Sequence, residues 1–261
     1  MENSKEKIVL VGAGNMATAI ALAFDKAGNP PVAVWSRTAE SAGLLAGMVG
    51  AEWCTDIDSL PHADIVIISI VDSALRELAV KVAAKYTDAV ILHTAGSIDM
   101  AVLHECGAKR YGVLYPMQTV SKNNAVSLAD VTTFIEASDD VVLSRVEALA
   151  RTISNKVVYA TSEQRCYLHV AAVFACNFSN AVYNMAADLL EEHGLPFEAM
   201  LPLIDEAARK VHRMSPKEAQ TGPARRGDAN VMNAHKAMLD DELLAVYSVM
   251  SDYIMKKNRQ L

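Results

Sequence analysis

The stretch that most constrains this chain is Lys7-Ile8-Val9-Leu10-Val11-Gly12-Ala13-Gly14-Asn15-Met16-Ala17, followed by Thr18-Ala19-Ile20-Ala21-Leu22-Ala23-Phe24. A run of β-formers breaks at two glycines and resumes as a helix-forming run. In that strand–turn–helix context a Gly-x-Gly-x-x-Ala string reads as a dinucleotide signature. Gly12 is expected to make the tight turn, and Gly14 to let the backbone approach a pyrophosphate. Ala17 permits close packing of helix on strand. Asn15 and Met16 begin the helix, whose free N–H groups and positive dipole end suit the phosphates.

Beyond this start the chain alternates. Strand-like runs recur at 31–36, 51–54, 64–71, 89–92, 111–114, 131–137 and 156–160, with helical stretches between them. Asp64 to Val71 is an apolar run rather than an alternating one, which suits a parallel strand covered on both faces. The pattern predicts an α/β fold with a doubly wound Rossmann sheet and right-handed crossovers. From Ser162 onward helical pattern dominates, over 163–193, 197–213, 229–238 and 240–257. Two domains are therefore expected, a nucleotide-binding domain over 1–160 and a smaller all-α domain over 161–261.

Bulk properties narrow the class. A formal charge of −7 argues against general nucleic-acid binding, which needs a net basic face. Cys54, Cys106, Cys166 and Cys176 form no Cys-x-x-Cys pair, so no metal site is expected. The polar N-terminus lacks the apolar segment of a signal peptide, and no run approaches a membrane span. A cytoplasmic protein with no membrane partner is the expectation.

Near the end of the second strand, where NAD-preferring domains keep an acid for the ribose hydroxyls, this chain has Ser36-Arg37-Thr38. Two hydroxyls around a guanidinium suit a 2′-phosphate, so NADP(H) is the expected cofactor. Ligands of open α/β sheets lie beyond the carboxyl ends of the strands. Those ends supply Val71-Asp72-Ser73, His93-Thr94-Ala95-Gly96-Ser97 and Tyr115-Pro116-Met117-Gln118-Thr119. Val71 and His93 are expected to line the cofactor and Ser97 the reacting carbon.

The helix over 163–192 adds a polar stripe. At about 100° per residue, His169, Asn180, Asn184 and Asn177 fall at roughly 0°, 20°, 60° and 80° on an otherwise apolar helix. Such a helix is expected to be buried, with His169 as proton donor and Asn177 and Asn180 beside the substrate. Arg209, Lys210, Arg213, Lys217, Arg225 and Arg226 form a local positive field suited to an anionic substrate. Within it, Thr221 and Arg226 are the expected contacts.

The carrying motifs, Val11 to Ala17, Leu92 to Ser97, Tyr115 to Thr119, and Thr221-Gly222-Pro223 through Arg226-Gly227-Asp228, span nearly the whole chain. With them the chain resembles the pyrroline-5-carboxylate reductase-like branch of the 6-phosphogluconate dehydrogenase superfamily. More closely, it resembles a group of Rossmann-like NADP oxidoreductases with a C-terminal domain of unknown function. The resemblance implies a homodimer formed through the helical domain. It implies no particular substrate. The chain departs from β-hydroxyacid dehydrogenases, which place a lysine on the first helix of the helical domain where the nearest counterpart here is His169. The expected activity is hydride transfer to or from a small anionic carbonyl or imine. The rivals are an NADP(H)-binding sensor without turnover and a deazaflavin-dependent oxidoreductase.

Overall fold

The computed structural model describes residues 5–120 and 127–258. The glycine signature lies where the sequence places it, between β1 (Ile8–Val11) and α1 (Asn15–Lys26). The alternation continues through β2 (Ala33–Trp35), α2 (Ala39–Val49), β3 (Glu52–Cys54), β4 (Ile65–Ile68) and α3 (Asp72–Lys85). Next come β5 (Val90–His93), α4 (Ala101–Glu105), β6 (Arg110–Pro116), β7 (Thr132–Ala137), α5 (Asp140–Ile153) and β8 (Lys156–Tyr159). The eight strands form one sheet in the order β3-β2-β1-β4-β5-β6-β7-β8.

The central strands are covered on both faces, which is why their sequences read as apolar runs. Ile8, Leu10, Ile65, Ile67 and Leu92 face a layer containing residues of α1, α2 and α5. Val9, Val11, Val66, Ile68 and Ile91 face the opposite layer, with residues of α3 and α4. Caps set the helix starts. Thr38 accepts from the Ser41 amide at α2, and Asp139 accepts from Val141 and Val142 at α5.

One pairing corrects the expected all-parallel sheet. β7 runs antiparallel to β6, with Gly112 opposite Ala137 and Pro116 opposite Thr133. The described parts of their connection hold no helix, so nothing there imposes the crossover that parallel neighbours require. The approach is close. A Cβ at Gly112 would lie 2.3 Å from the Glu136 carbonyl oxygen, so only glycine fits.

The chain forms two compact units, Met1–Cys176 and Asn177–Leu261. The first keeps α6 (Ser162–Ala172), which the sequence reading assigns to the helical domain. A π-helical segment, Val173–Phe178, follows α6. The second unit holds α7 (Ser179–Glu192), α8 (Leu201–Val211), α9 (Pro216–Ala219), α10 (Pro223–Arg226), α11 (Ala229–Lys236) and α12 (Asp241–Asn258). Its short helices start on designed caps: Ser215 and Glu218 form a capping box at α9, and Asp228 caps α11. No described helix is long and apolar enough to cross a membrane.

Candidate active site

The glycine turn has the geometry of a phosphate cradle. Gly12 has φ +128°, and a Cβ there would stand 2.0 Å from the Ser69 carbonyl oxygen. Any other residue would have to break the β1–β4 contact. Among the described residues, a Cβ at Gly14 would meet nothing within 4 Å. The first turn of α1 has no acidic residue and no side-chain cap, leaving its N–H groups for an anion. Ala17 is fully buried and Met16 half-buried, while exposed Asn15 donates to the Val120 carbonyl at 2.9 Å.

At the end of β2, Arg37 is exposed and Ser36 half-buried. Thr38 is exposed, with its hydroxyl engaged in capping α2. Val71, at the start of α3, is 70% exposed.

The loop after β5 is the most constrained part of this edge. His93 is wholly buried at the end of β5. Its Nδ1 accepts from the Ala95 amide at 3.1 Å, so Nε2 carries the proton, and that atom has no hydrogen-bond partner. Burial, assisted by the Arg165 guanidinium, pushes the His93 pKa down to about 3, and the ring is neutral at any ordinary pH. Expected as a cofactor contact, its imidazole supports the loop from beneath. Ser97 is exposed, and its hydroxyl donates to Asp72 Oδ2 at 2.6 Å.

A buried ion pair holds this loop. Arg165, on α6, is 1% exposed. Its Nε donates to the Ala95 carbonyl at 3.2 Å, its Nη2 to the Ile98 carbonyl, and its Nη1 to Glu136 Oε2 at 3.2 Å. Glu136, on β7, also accepts from the Ser162 amide at 2.8 Å and the Ser162 hydroxyl at 2.7 Å. Ser162 in turn accepts from the Met100 amide. Burial lowers the Arg165 pKa and the Glu136 carboxylate opposes that. These bonds tie α6 to the sheet, which is why α6 belongs to the first compact unit.

One turn beyond Arg165, His169 lies against the same loop. Its Nδ1 is 3.3 Å from the Tyr115 hydroxyl, with the rings edge-on. A Cβ at Gly96 would fall 2.7 Å from that Nδ1 and 2.9 Å from the Tyr115 hydroxyl oxygen. The contact of histidine, tyrosine and loop therefore depends on glycine at position 96.

The expected stripe does not extend down the helix. A π turn changes the helical phase, so angles summed at 100° per residue do not carry from His169 past Val173–Phe178. The expected burial is also corrected. No residue of the π segment or of α7 is buried, and Asn177, Asn180 and Asn184 are exposed. Asn184 bonds Asp188 at 2.8 Å. Thr221 and Arg226 are exposed in the second unit, Arg226 at the end of α10.

Sequence reasoning passed over Arg165, Glu136 and the partnership of Asp72 with Ser97. A signal existed for the first: Arg165 precedes His169 by one helical turn and so shares its face.

A glycine turn opening a helix, a basic residue after the second strand, and hydroxyl, imidazole and phenol groups along the carboxyl edge define a Rossmann-fold nicotinamide oxidoreductase. Residues 7–96 match the family described as NADP oxidoreductase coenzyme F420-dependent, and residues 131–254 match the domain of unknown function DUF2520. A candidate NADP oxidoreductase from Bacteroides fragilis is 48% identical, with 97% of this chain and 98% of that one covered at a TM-score of 0.90. The chain belongs to that family of NADP oxidoreductases. Two more distant structures share the fold. An imine reductase from Myxococcus stipitatus in complex with NADP+ is 16% identical over 97% of this chain and 94% of its own, with a TM-score of 0.70. A pyrroline-5-carboxylate reductase from Coxiella burnetii is 15% identical over 98% of each chain, with a TM-score of 0.59. No curated protein matches the chain.

Proposed function

We propose that this enzyme is an NADPH-dependent reductase of a small anionic carbonyl or imine compound. The observation that carries the reading is the His169 ring held against the Tyr115 hydroxyl and Gly96 on the loop after β5. That loop lies at the carboxyl ends of the strands, the edge where open α/β sheets hold their ligands.

The open backbone of Gly12 and Gly14, with Asn15, Met16 and Ala17, fits a pyrophosphate. Ser36, Arg37 and Thr38 fit a 2′-phosphate, and Val71 and the loop supported by His93 line the rest of the cofactor. When bound, NADPH supplies the hydride. Ser97, its hydroxyl oriented by Asp72, positions the reacting group. His169 gives a proton to the oxygen or nitrogen that gains electron density, which is general-acid catalysis by a group suited to neutral pH. The basic residues of the second unit, Arg226 among them, are the reason for expecting an anionic substrate.

NADPH oxidation with pyruvate, glyoxylate and 1-pyrroline-2-carboxylate tests the proposal. Turnover that falls about a hundredfold in His169→Asn with little change in NADPH affinity is expected. Tight NADPH binding without turnover of any such compound would favour a sensor instead.

A further inference from the structure

We propose that Tyr115 works as a proton-relay partner of His169, its hydroxyl resupplying Nδ1 while Nε2 delivers a proton to substrate. This rests on the reductase reading above, and it gives a role to a residue whose neighbours, but not its chemistry, stand out in the sequence.

Three observations converge. The hydroxyl and Nδ1 lie within 3.3 Å, and the phenol has few other ways to turn, because Tyr115 is 8% exposed and packs with Val113 and Phe134. Gly96 leaves room for the pair and for no side chain of its own. Finally, the Arg165 guanidinium, held in place by Glu136, lies close enough to Tyr115 to act on its charge: burial raises the Tyr115 pKa and Arg165 opposes the rise.

The relay balances. A bound NADPH would supply the hydride to the carbonyl or imine carbon and become NADP+. The substrate oxygen or nitrogen bonds the proton released from Nε2, and Nδ1 bonds the proton released from the Tyr115 oxygen. The tyrosinate, under the influence of the Arg165 cation, takes the Nδ1 proton back as Nε2 recovers one from water, which restores the starting pair. Tyr115 acts through His169 and is thus a positioning residue for it. Arg165 is the charged group that acts on Tyr115; Glu136, Cys166 and Asp99 act in turn on Arg165, and Arg165 also acts on neutral His93. With Arg165 fixed as a cation and His93 fixed as neutral, Tyr115 and His169 are the two that exchange a proton.

The test uses the whole chain with NADP+ added, labelled with 13Cζ-tyrosine and 15N-histidine. Tyr115→Phe keeps the packed ring and removes only the hydroxyl. It is expected to displace the His169 titration midpoint by about half a pH unit or more, and His169→Asn to displace that of Tyr115 likewise, as coupled sites do. Gly96→Ala should shift both midpoints with both side chains present. Midpoints that ignore the partner's removal overturn the relay. On a turned-over substrate such as 1-pyrroline-2-carboxylate, wild type should keep its rate above the ordinary histidine range. Tyr115→Phe should lose about tenfold there with KM little changed. A rate lost in His169→Asn but unaltered in Tyr115→Phe at every pH would overturn the relay and leave the reductase reading standing. Coupled titrations in a chain that reduces none of the panel would overturn the reductase reading alone.

Discussion

His93 and His169 are the same side chain in opposite surroundings, the first wholly buried and the second half-buried. His93 is closed off from solvent, accepts from one amide and lies near a cation, so it stays neutral at any ordinary pH. The unfolded chain restores an ordinary histidine, whose pKa is near 6.5. Because the folded value, about 3, lies below the unfolded one, acid favours unfolding. The stability is intact above pH 6.5 and is lost as pH falls toward 3, at up to about 1.4 kcal/mol per pH unit. Urea titrations between pH 7 and 4 should show a flatter dependence in His93→Gln, which keeps an acceptor for the Ala95 amide and cannot titrate. An unchanged slope would refute this assignment. Arg37 makes a second residue-scale case. It is exposed at the end of β2 with no ion pair among the described residues, so Arg37→Glu should weaken NADPH binding more than NADH binding. Equal losses in a fluorescence titration would remove the 2′-phosphate argument.

Among the elements, α6 has the most to lose. Replacing Arg165 by Met would leave Glu136 buried without its cation, a change that costs about 3–5 kcal/mol in comparable pairs. The double variant Arg165→Met with Glu136→Leu should recover part of that loss, because no buried charge is then stranded. Chemical denaturation of Arg165→Met, Glu136→Leu and the double variant measures the difference, and additive losses would contradict it. The strands were legible from sequence because burial on both faces leaves a plain apolar signature, as in Ile65 to Ile68. The clamp was not. A lone arginine in a helix and a lone glutamate in a strand each read as solvated charges until the fold brings them to 3.2 Å. The π turn after Ala172 was equally hidden, since Val173 to Phe178 has no residue that ordinary helix patterns would refuse. Of the candidate site, the glycine turn was readable because its chemistry is local, whereas His169 was legible as a residue and not by its partner. The approach of Tyr115, on β6, to Gly96, in the loop after β5, joins separate elements, and no spacing reports it.

For the molecule as a whole, the helical unit poses a question of burial. α7 and α8 contain no buried residue, and Val182, Tyr183, Leu195, Leu201, Leu203 and Val211 are exposed. Apolar surface of that extent needs a cover, and a second copy of the chain is the proposed one. Light scattering after size exclusion should give twice the 28.1 kDa chain mass, and Leu203→Glu should weaken the dimer. A monomer at micromolar concentration would count against it.

The antiparallel step between β6 and β7 bears on how such a chain can be inherited. The C-terminal family match begins at residue 131, before β7, and so claims the last two strands of a sheet whose first six precede it. A gene cut at that point would yield one product with the β6 edge bare, open to pairing with any strand it met. The other product would carry two strands and no sheet to join. The start of the C-terminal match thus falls at a hydrogen-bonded pairing of strands, β6 with β7, and neither part has its share of the sheet complete without the other.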